Sequence, residues 1–291
     1  MAVGLKRQWK TFKTAAWLGW QMESNWTQPF LFATYSILKP IAATMILVLM
    51  YWVVINPGYG NVGENEAMFS FLYVGNTFYM FVAQMLFGIF RVIQGDREWY
   101  QTIKNVYIAP MSYYVYVVAR AITQMIIASI AVIITLLFGV FVLHVQISLA
   151  LADVPLFLLV LVIGLLGISA MGVILGGLSF LTAKHTHGMN ESVAGIFYLF
   201  CGVLFPISQF PDWGRYVSLA IPLTYWFEAV RRILAPNTLG MNSPLASIDM
   251  VSLVLILLAS TIILVLISYF VFKGADYLAR KKGLVDMITS Y

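Results

Sequence analysis

Six long apolar stretches decide what this chain can fold into. They fall near residues 30–55, 67–90, 113–143, 155–181, 193–207 and 250–272. A helix needs roughly 17–25 mostly apolar residues to cross the hydrocarbon layer of a bilayer. Only the fifth stretch falls short, at about 22 Å for a rise of about 1.5 Å per residue. Length and the lack of strict apolar–polar alternation argue for helices rather than barrel strands. The wider composition agrees: 61% of the 291 residues are hydrophobic and 10% are charged, where a soluble domain carries about 25% charge. A water-soluble enzyme and a disordered chain are both excluded. One cysteine, Cys201, leaves no internal disulfide and no multi-cysteine metal site.

Charge placement supplies the topology. With six crossings both ends of the chain lie on one side, which then holds 14 of the 17 Lys and Arg residues, leaving Arg215, Arg231 and Arg232 opposite. The positive-inside rule puts both termini in the cytoplasm, in a multi-pass protein of the cell membrane. The net charge of +5 therefore expresses orientation, and no nucleic-acid partner is expected. Before the first stretch, Leu5, Trp9, Phe12, Ala16 and Trp20 recur at helical spacing, while Lys6, Lys10 and Lys13 share another face. This predicts an amphipathic helix over 5–28 lying in the inner membrane surface, with lipid as its partner. The fold class is all-α integral membrane, and residues 1–291 read as a single membrane domain.

Two connecting segments carry the functional signal. The inner loop 95–110 begins with Asp96 and Glu98 and has Lys104 later, which suits a short helix with acids at its N-terminus. Pro110 would end that helix and Ser112 would cap the next one. The outer segment 206–249 is too apolar for a free loop and too broken by proline for a span. It predicts a pair of short re-entrant helices whose irregular backbone is buried by protein. Glu228 and Arg231, three apart, are placed to pair on one helix face.

With these features the chain resembles the ABC-2 type permease family, the membrane subunits of type V ABC exporters, in its drug-exporter-like branch. The inner loop is similar to that family's coupling-helix region: Glu98, Thr102, Ala109 and Pro110 match, and Gln101 stands where the family usually has Gly. The outer segment is similar to the family's signature through Phe205, Pro206, Pro211, Trp213, Pro222, Leu223, Thr224, Tyr225, Glu228 and Arg231, with Ile221 where Asn is usual. The resemblance implies six transmembrane helices. It also implies that Asp96, Glu98, Thr102, Ile103, Lys104, Tyr107 and Pro110 couple to an ATPase. No Walker A sequence occurs here. The resemblance therefore implies two copies of a separate ABC ATPase subunit, which would carry the ATP and Mg. It further implies a second permease, as a homodimer. No cofactor, metal or catalytic residue is expected on this chain, which is a transport subunit rather than an enzyme.

In the resembling family the second and fifth spans line the pathway, which points to Asn76, Phe78, Gln84, Phe197 and Phe200. Their aromatic character suits an amphipathic drug, antibiotic or lipid-like substrate moved outward. Export of a polysaccharide or lipid-linked glycan is the alternative, and a stand-alone secondary transporter or channel is a more distant one. Lys39, inside the first stretch, either snorkels to the inner surface or contacts substrate or a second subunit. Arg91 and Arg120 are read as headgroup anchors, and Gly172 and Gly176 as a close-packing pair within the subunit.

Overall fold

Lipid offers a backbone no water to bond, so the chain satisfies its peptide groups internally. The computed structural model describes residues 5–24, 29–55, 62–109, 111–181, 186–239, 241 and 243–285, and among these no strand occurs. Pro110 lies outside the described residues. The α-helices are α1 (Leu5–Ser24), α2 (Pro29–Ile55), α3 (Val62–Gln94), α4 (Ile103–Ile108), α5 (Tyr113–Phe141), α6 (Val154–Ser179), α7 (Thr186–Phe200), α8 (Asp212–Ala220), α9 (Pro222–Leu234), α10 (Ser243–Ala246) and α11 (Met250–Lys281).

Five of them, α2, α3, α5, α6 and α11, are long and apolar enough to cross a membrane. The stretch expected to be the fifth span is α7, with only 15 residues. It runs antiparallel to α3. The Tyr79 hydroxyl donates to the Ala194 carbonyl at 2.7 Å, and the Tyr198 hydroxyl to Asn76 Oδ1 at 3.3 Å. Beyond α7 the chain breaks at Gly202, whose φ of +71° suits glycine. It then returns into the bundle as α8 and α9.

Helix α6 is the centre of the packing, with α3, α9 and α11 against it. Its glycines make that approach possible. A Cβ on Gly172 or Gly176 would sit 2.7 or 2.8 Å from the Cδ1 atoms of Ile89 and Ile93 on α3. The pair therefore serves packing inside the subunit, as expected. At Gly164 a Cβ would fall 2.0 Å from the indole nitrogen of Trp226. That indole is fully buried and donates to the Val160 carbonyl at 3.1 Å. One apolar core forms around Phe78, Trp226 and Phe227, and a second around Ile103, Tyr113, Phe180 and Phe272.

The N-terminal helix α1 lies along α5. Ala15 and Gly19 are the contact, close enough for Thr123 Oγ1 to donate to the Ala16 carbonyl at 3.1 Å. The expected apolar stripe is thereby split. Phe12 and Ala16 turn toward the bundle, whereas Trp9 is exposed together with Lys6, Lys10 and Lys13. Trp17, at 63% exposure, joins that outer face. Small residues set the contact because they let the two backbones approach most closely.

Gly164→Ala forces Trp226 from its slot, and overpacking of this kind costs about 1–3 kcal/mol or more. Gly195, with open space around its Cα, is the control, because alanine there should gain up to about 1 kcal/mol of helix propensity. Thermal unfolding in detergent should show the first variant lowered and the second unchanged or raised.

Candidate functional site

Helix α3 does not stop where the inner loop was expected to begin. It continues through a five-residue π-helical turn, Gly95–Trp99, closed by the Tyr100 N–H donating to the Gly95 carbonyl at 2.8 Å. Asp96 and Glu98 therefore sit at the C-terminal end of α3, not at the start of α4, which corrects the sequence expectation. Carboxylates are unfavourable at that end of a helix, and each has compensating partners. Glu98 pairs with Arg97 at 2.8 Å, and Arg97, itself buried, donates to the Ser179 carbonyl at the end of α6. Asp96 accepts long hydrogen bonds of 3.4 Å from Thr102 and from Tyr116 on α5.

Arg120 completes this cluster. It donates to the Tyr116 hydroxyl at 3.0 Å and to Met22 Sδ of α1 at 3.3 Å. Arg120 is thus buried between α1 and α5 and is not the headgroup anchor its position suggested. The cause is α1, which covers it.

The short helix α4 follows Gln101, which takes φ of +51°, a left-handed conformation that costs most residues about 1–2 kcal/mol. Ile103, at 2% exposure, and Val106 turn into the bundle. The Ile103 side chain thus belongs to the apolar core and is not on the outward face of α4. Tyr107 donates to Asp276 Oδ1 of α11 at 2.5 Å, and its ring carries the Arg280 guanidinium at 5.0 Å. Arg280 pairs with the same carboxylate. Burial, and then the bond to Asp276, raise the Tyr107 phenol above its ordinary pKa, so it remains a neutral donor. The outer face of α4 carries Lys104, Asn105 and Ile108, the last 82% exposed. Ser112 occupies the N-cap of α5 without a side-chain hydrogen bond, so that expected cap is not made.

The outer segment is a set of helix stops supplied with donors. Pro222 opens α9, and the Thr224 and Tyr225 hydroxyls donate to the Ser218 and Leu219 carbonyls that end α8, at 2.6 and 2.8 Å. Pro211 is the N-cap of α8. Trp213 packs edge-on against Phe200, with Phe210 on the same ring. Phe205 is exposed and Pro206 opens a 3-10 turn. Arg231 is 1% exposed, its guanidinium 3.7 Å from the centre of the Phe71 ring. It donates to Phe71 O at 3.2 Å, Gly202 O at 2.7 Å and Val203 O at 3.2 Å. The expected Glu228–Arg231 pair is replaced. Glu228 pairs with Arg232 at 2.9 Å, because the carbonyls beyond α7 take Arg231. Arg232 also donates to Ile248 O and Leu245 O.

Between α2, α3, α5 and α7 lies a cavity of about 1020 Å³, which Glu23 of α1 also borders. Asn76 and Gln84 line it, and so do Lys39 and Arg91. The three aromatic candidates do not. Phe78 is fully buried against Trp226 and Phe157, Phe197 packs on the rim of that core, and Phe200 stacks in the outer segment. Reading the sequence missed Gln124, which bridges Gln84 at 2.9 Å and Glu23 at 3.0 Å. Its signal was an amide inside an otherwise apolar stretch.

A model of the ABC-2 type transporter family matches residues 11–235, from α1 to the end of α9. The chain belongs to that family. No curated protein matches it in sequence. The matched region of this ABC-2 chain contains both the loop bearing α4 and the Arg231 segment, and it ends before α11. Two outcomes follow. Gln101→Gly should raise thermal stability by up to about 1 kcal/mol, since glycine carries no penalty at positive φ. Arg231→Lys cannot reach three carbonyls with a fork. With each charge-assisted bond contributing about 1.5–3 kcal/mol, it should lower the thermal midpoint sharply, and Arg231→Met should lower it further.

Proposed function

We propose that the chain is the membrane-spanning permease subunit of a two-component ATP-driven exporter. A second permease copy and two separate ABC ATPase subunits complete it, and the ATPase carries the ATP and Mg. Members of this family generally work with such an ATPase. One observation carries the reading. Helix α4 presents Lys104, Asn105 and Ile108 outward, while Tyr107, Ile103 and Val106 fix it to α11 and to the core at that end. An apolar residue as exposed as Ile108, beside a cation and clear of the span helices, is what a docking partner would cover. In this reading α7 is the sixth crossing, both termini are cytoplasmic and the protein resides in the cell membrane.

The mechanism follows from what α4 is attached to. A push from a closing ATPase dimer moves a helix that cannot slip on its base. The π-helical turn passes the movement to α3. The Asp96–Tyr116–Arg120 cluster passes it to α5 and α1, and Tyr107–Asp276 passes it to α11. Helices α3 and α5 are two walls of the cavity, so ATP-driven movement of α4 changes its shape and access. An amphipathic substrate is then released outward. A polysaccharide is less well supported, since the slot is lined chiefly by apolar side chains.

The test is co-purification of the tagged chain in mild detergent from its host. A stoichiometric ATPase subunit is expected. Ile108→Asp combined with Lys104→Glu should reduce its recovery and the ATP hydrolysis of the complex. Stability should stay within about 0.5 kcal/mol of wild type, as is usual for surface changes. Tyr107→Phe should retain the ATPase but weaken substrate-stimulated hydrolysis, since docking remains and the link to α11 is lost. A chain that purifies alone and transports without ATP would overturn the reading.

A further inference from the structure

The cavity between α2, α3, α5 and α7 is long and carries charged groups within a largely apolar lining. Its α2 wall runs from Phe32 to Met50, roughly 27 Å at about 1.5 Å per residue. Lys39 and Arg91 line it with Glu23, Glu191 and the amides already described, and most of the remaining lining is apolar, through Ile46, Leu47 and Met80. Lys39 is ten residues into α2 by numbering, some 15 Å along the helix. A cation at that depth is costly unless an anion or water reaches it. Among the described residues neither Lys39 nor Arg91 forms an ion pair. Neither Glu23 nor Glu191 forms an ion pair with them. The Glu23 carboxylate accepts the Gln124 amide at 3.0 Å, and Gln124 is in turn held by Gln84.

We propose that this cavity binds an amphiphile with an anionic headgroup, its phosphate or carboxylate between Lys39 and Arg91 and its alkyl chain along the slot toward Met50. Charge complementarity selects the head, because Lys39 and Arg91 line the cavity without an ion-pair partner among the described residues. Arg91 offers a planar fork and Lys39 a point charge, the two usual ways of holding a phosphate. Shape selects the tail, because the slot is long, apolar and bounded by helices α2 and α7. The Gln84–Gln124–Glu23 ladder keeps the Glu23 carboxylate turned to α5. Naming the substrate's charge in this way rests on the permease reading above, but its test does not depend on the ATPase.

The experiment uses the purified full-length chain in nanodiscs of zwitterionic lipid, with empty nanodiscs subtracted. Binding of dodecyl phosphate is compared with that of dodecyltrimethylammonium, which has the same chain and the opposite charge. The phosphate should bind at least about tenfold tighter, a difference of about 1.4 kcal/mol. Lys39→Gln and Arg91→Gln should each remove most of that preference, and Lys39→Arg should keep it. Both side chains are exposed, so the folded chain should tolerate these changes. Ala83→Trp, filling the slot midway, should abolish binding of both probes. Equal binding of the two probes, preference for the cation, or a preference that survives both glutamine variants would overturn the proposal. So would a slot that stays closed to both probes because a second copy fills it. An ATPase that co-purifies while the phosphate shows no preference would leave the permease reading standing and retire this one.

Discussion

A helix that ends against an apolar bundle leaves its last carbonyls short of partners, and a buried polar group without one costs several kcal/mol. Helix α7 poses this problem at Phe200, and α8 poses it again at Ala220. Arg231 answers the first, giving hydrogen bonds to Gly202 and Val203 and a third to Phe71 on α3. Thr224 and Tyr225 answer the second. All three donors come from α9, so this one short helix closes both ends above it. The fold at this end depends on α9, and α9 depends on being buried against α3, α6 and α11. That burial requires the space left by Gly164 and Gly75, where a Cβ would stand 2.1 Å from an Arg231 nitrogen.

The same logic orders the bundle from the inside outward. Helix α6 is strongly apolar, and its glycines accept α3 on one side and Trp226 on another. Helices α2 and α11 are mostly uncovered, with only about a fifth of their apolar windows buried within the chain. Their outward faces carry large apolar residues such as Ile46, Val53, Ile262 and Phe270, which fits contact with lipid or with another subunit and not with water. The protein is therefore packed tightly around α6 and loosely at α2, and the loose side is where the cavity opens.

Much of the architecture was legible from the sequence, because crossing a bilayer constrains composition more strongly than folding in water does. The long helices and the close-packing role of Gly172 and Gly176 followed directly. So did the irregular, proline-broken outer segment. What was not legible turned on side-chain direction. Helical spacing could not say that Ile103 faces the core while Ile108 faces outward, since a six-residue helix has too few turns to show an apolar stripe. The Glu228–Arg231 spacing was compatible with a pair, but three carbonyls competed for the same guanidinium and won. Arg120 read as a surface anchor because nothing in the sequence says that α1 would lie across it. The π-helical turn has no composition signal at all. Only Gln101, in a position where glycine would be at ease, hints that the backbone there is unusual.

That turn also bears on the proposed action of a small loop on a large cavity. An ordinary helix end would have let the chain swivel at Gly95. Here the wider helical turn carries α3 past its expected end, and Arg97 holds it to the last turn of α6. Asp96 faces Tyr116 across the gap to α5, and Arg120 donates to the same Tyr116 hydroxyl. Helix α4 therefore has three attachments, to α3 through the backbone, to α5 through this cluster and to α11 through Tyr107. A displacement of α4 toward the bundle cannot be absorbed by any one of them and must be shared as a relative movement of the three helices. Since α3 and α5 face each other across Gln84 and Gln124, that movement is felt first at the polar ladder bordering the cavity. The cavity residues proposed to bind substrate and the proposed docking helix α4 are thus joined by a short run of side chains.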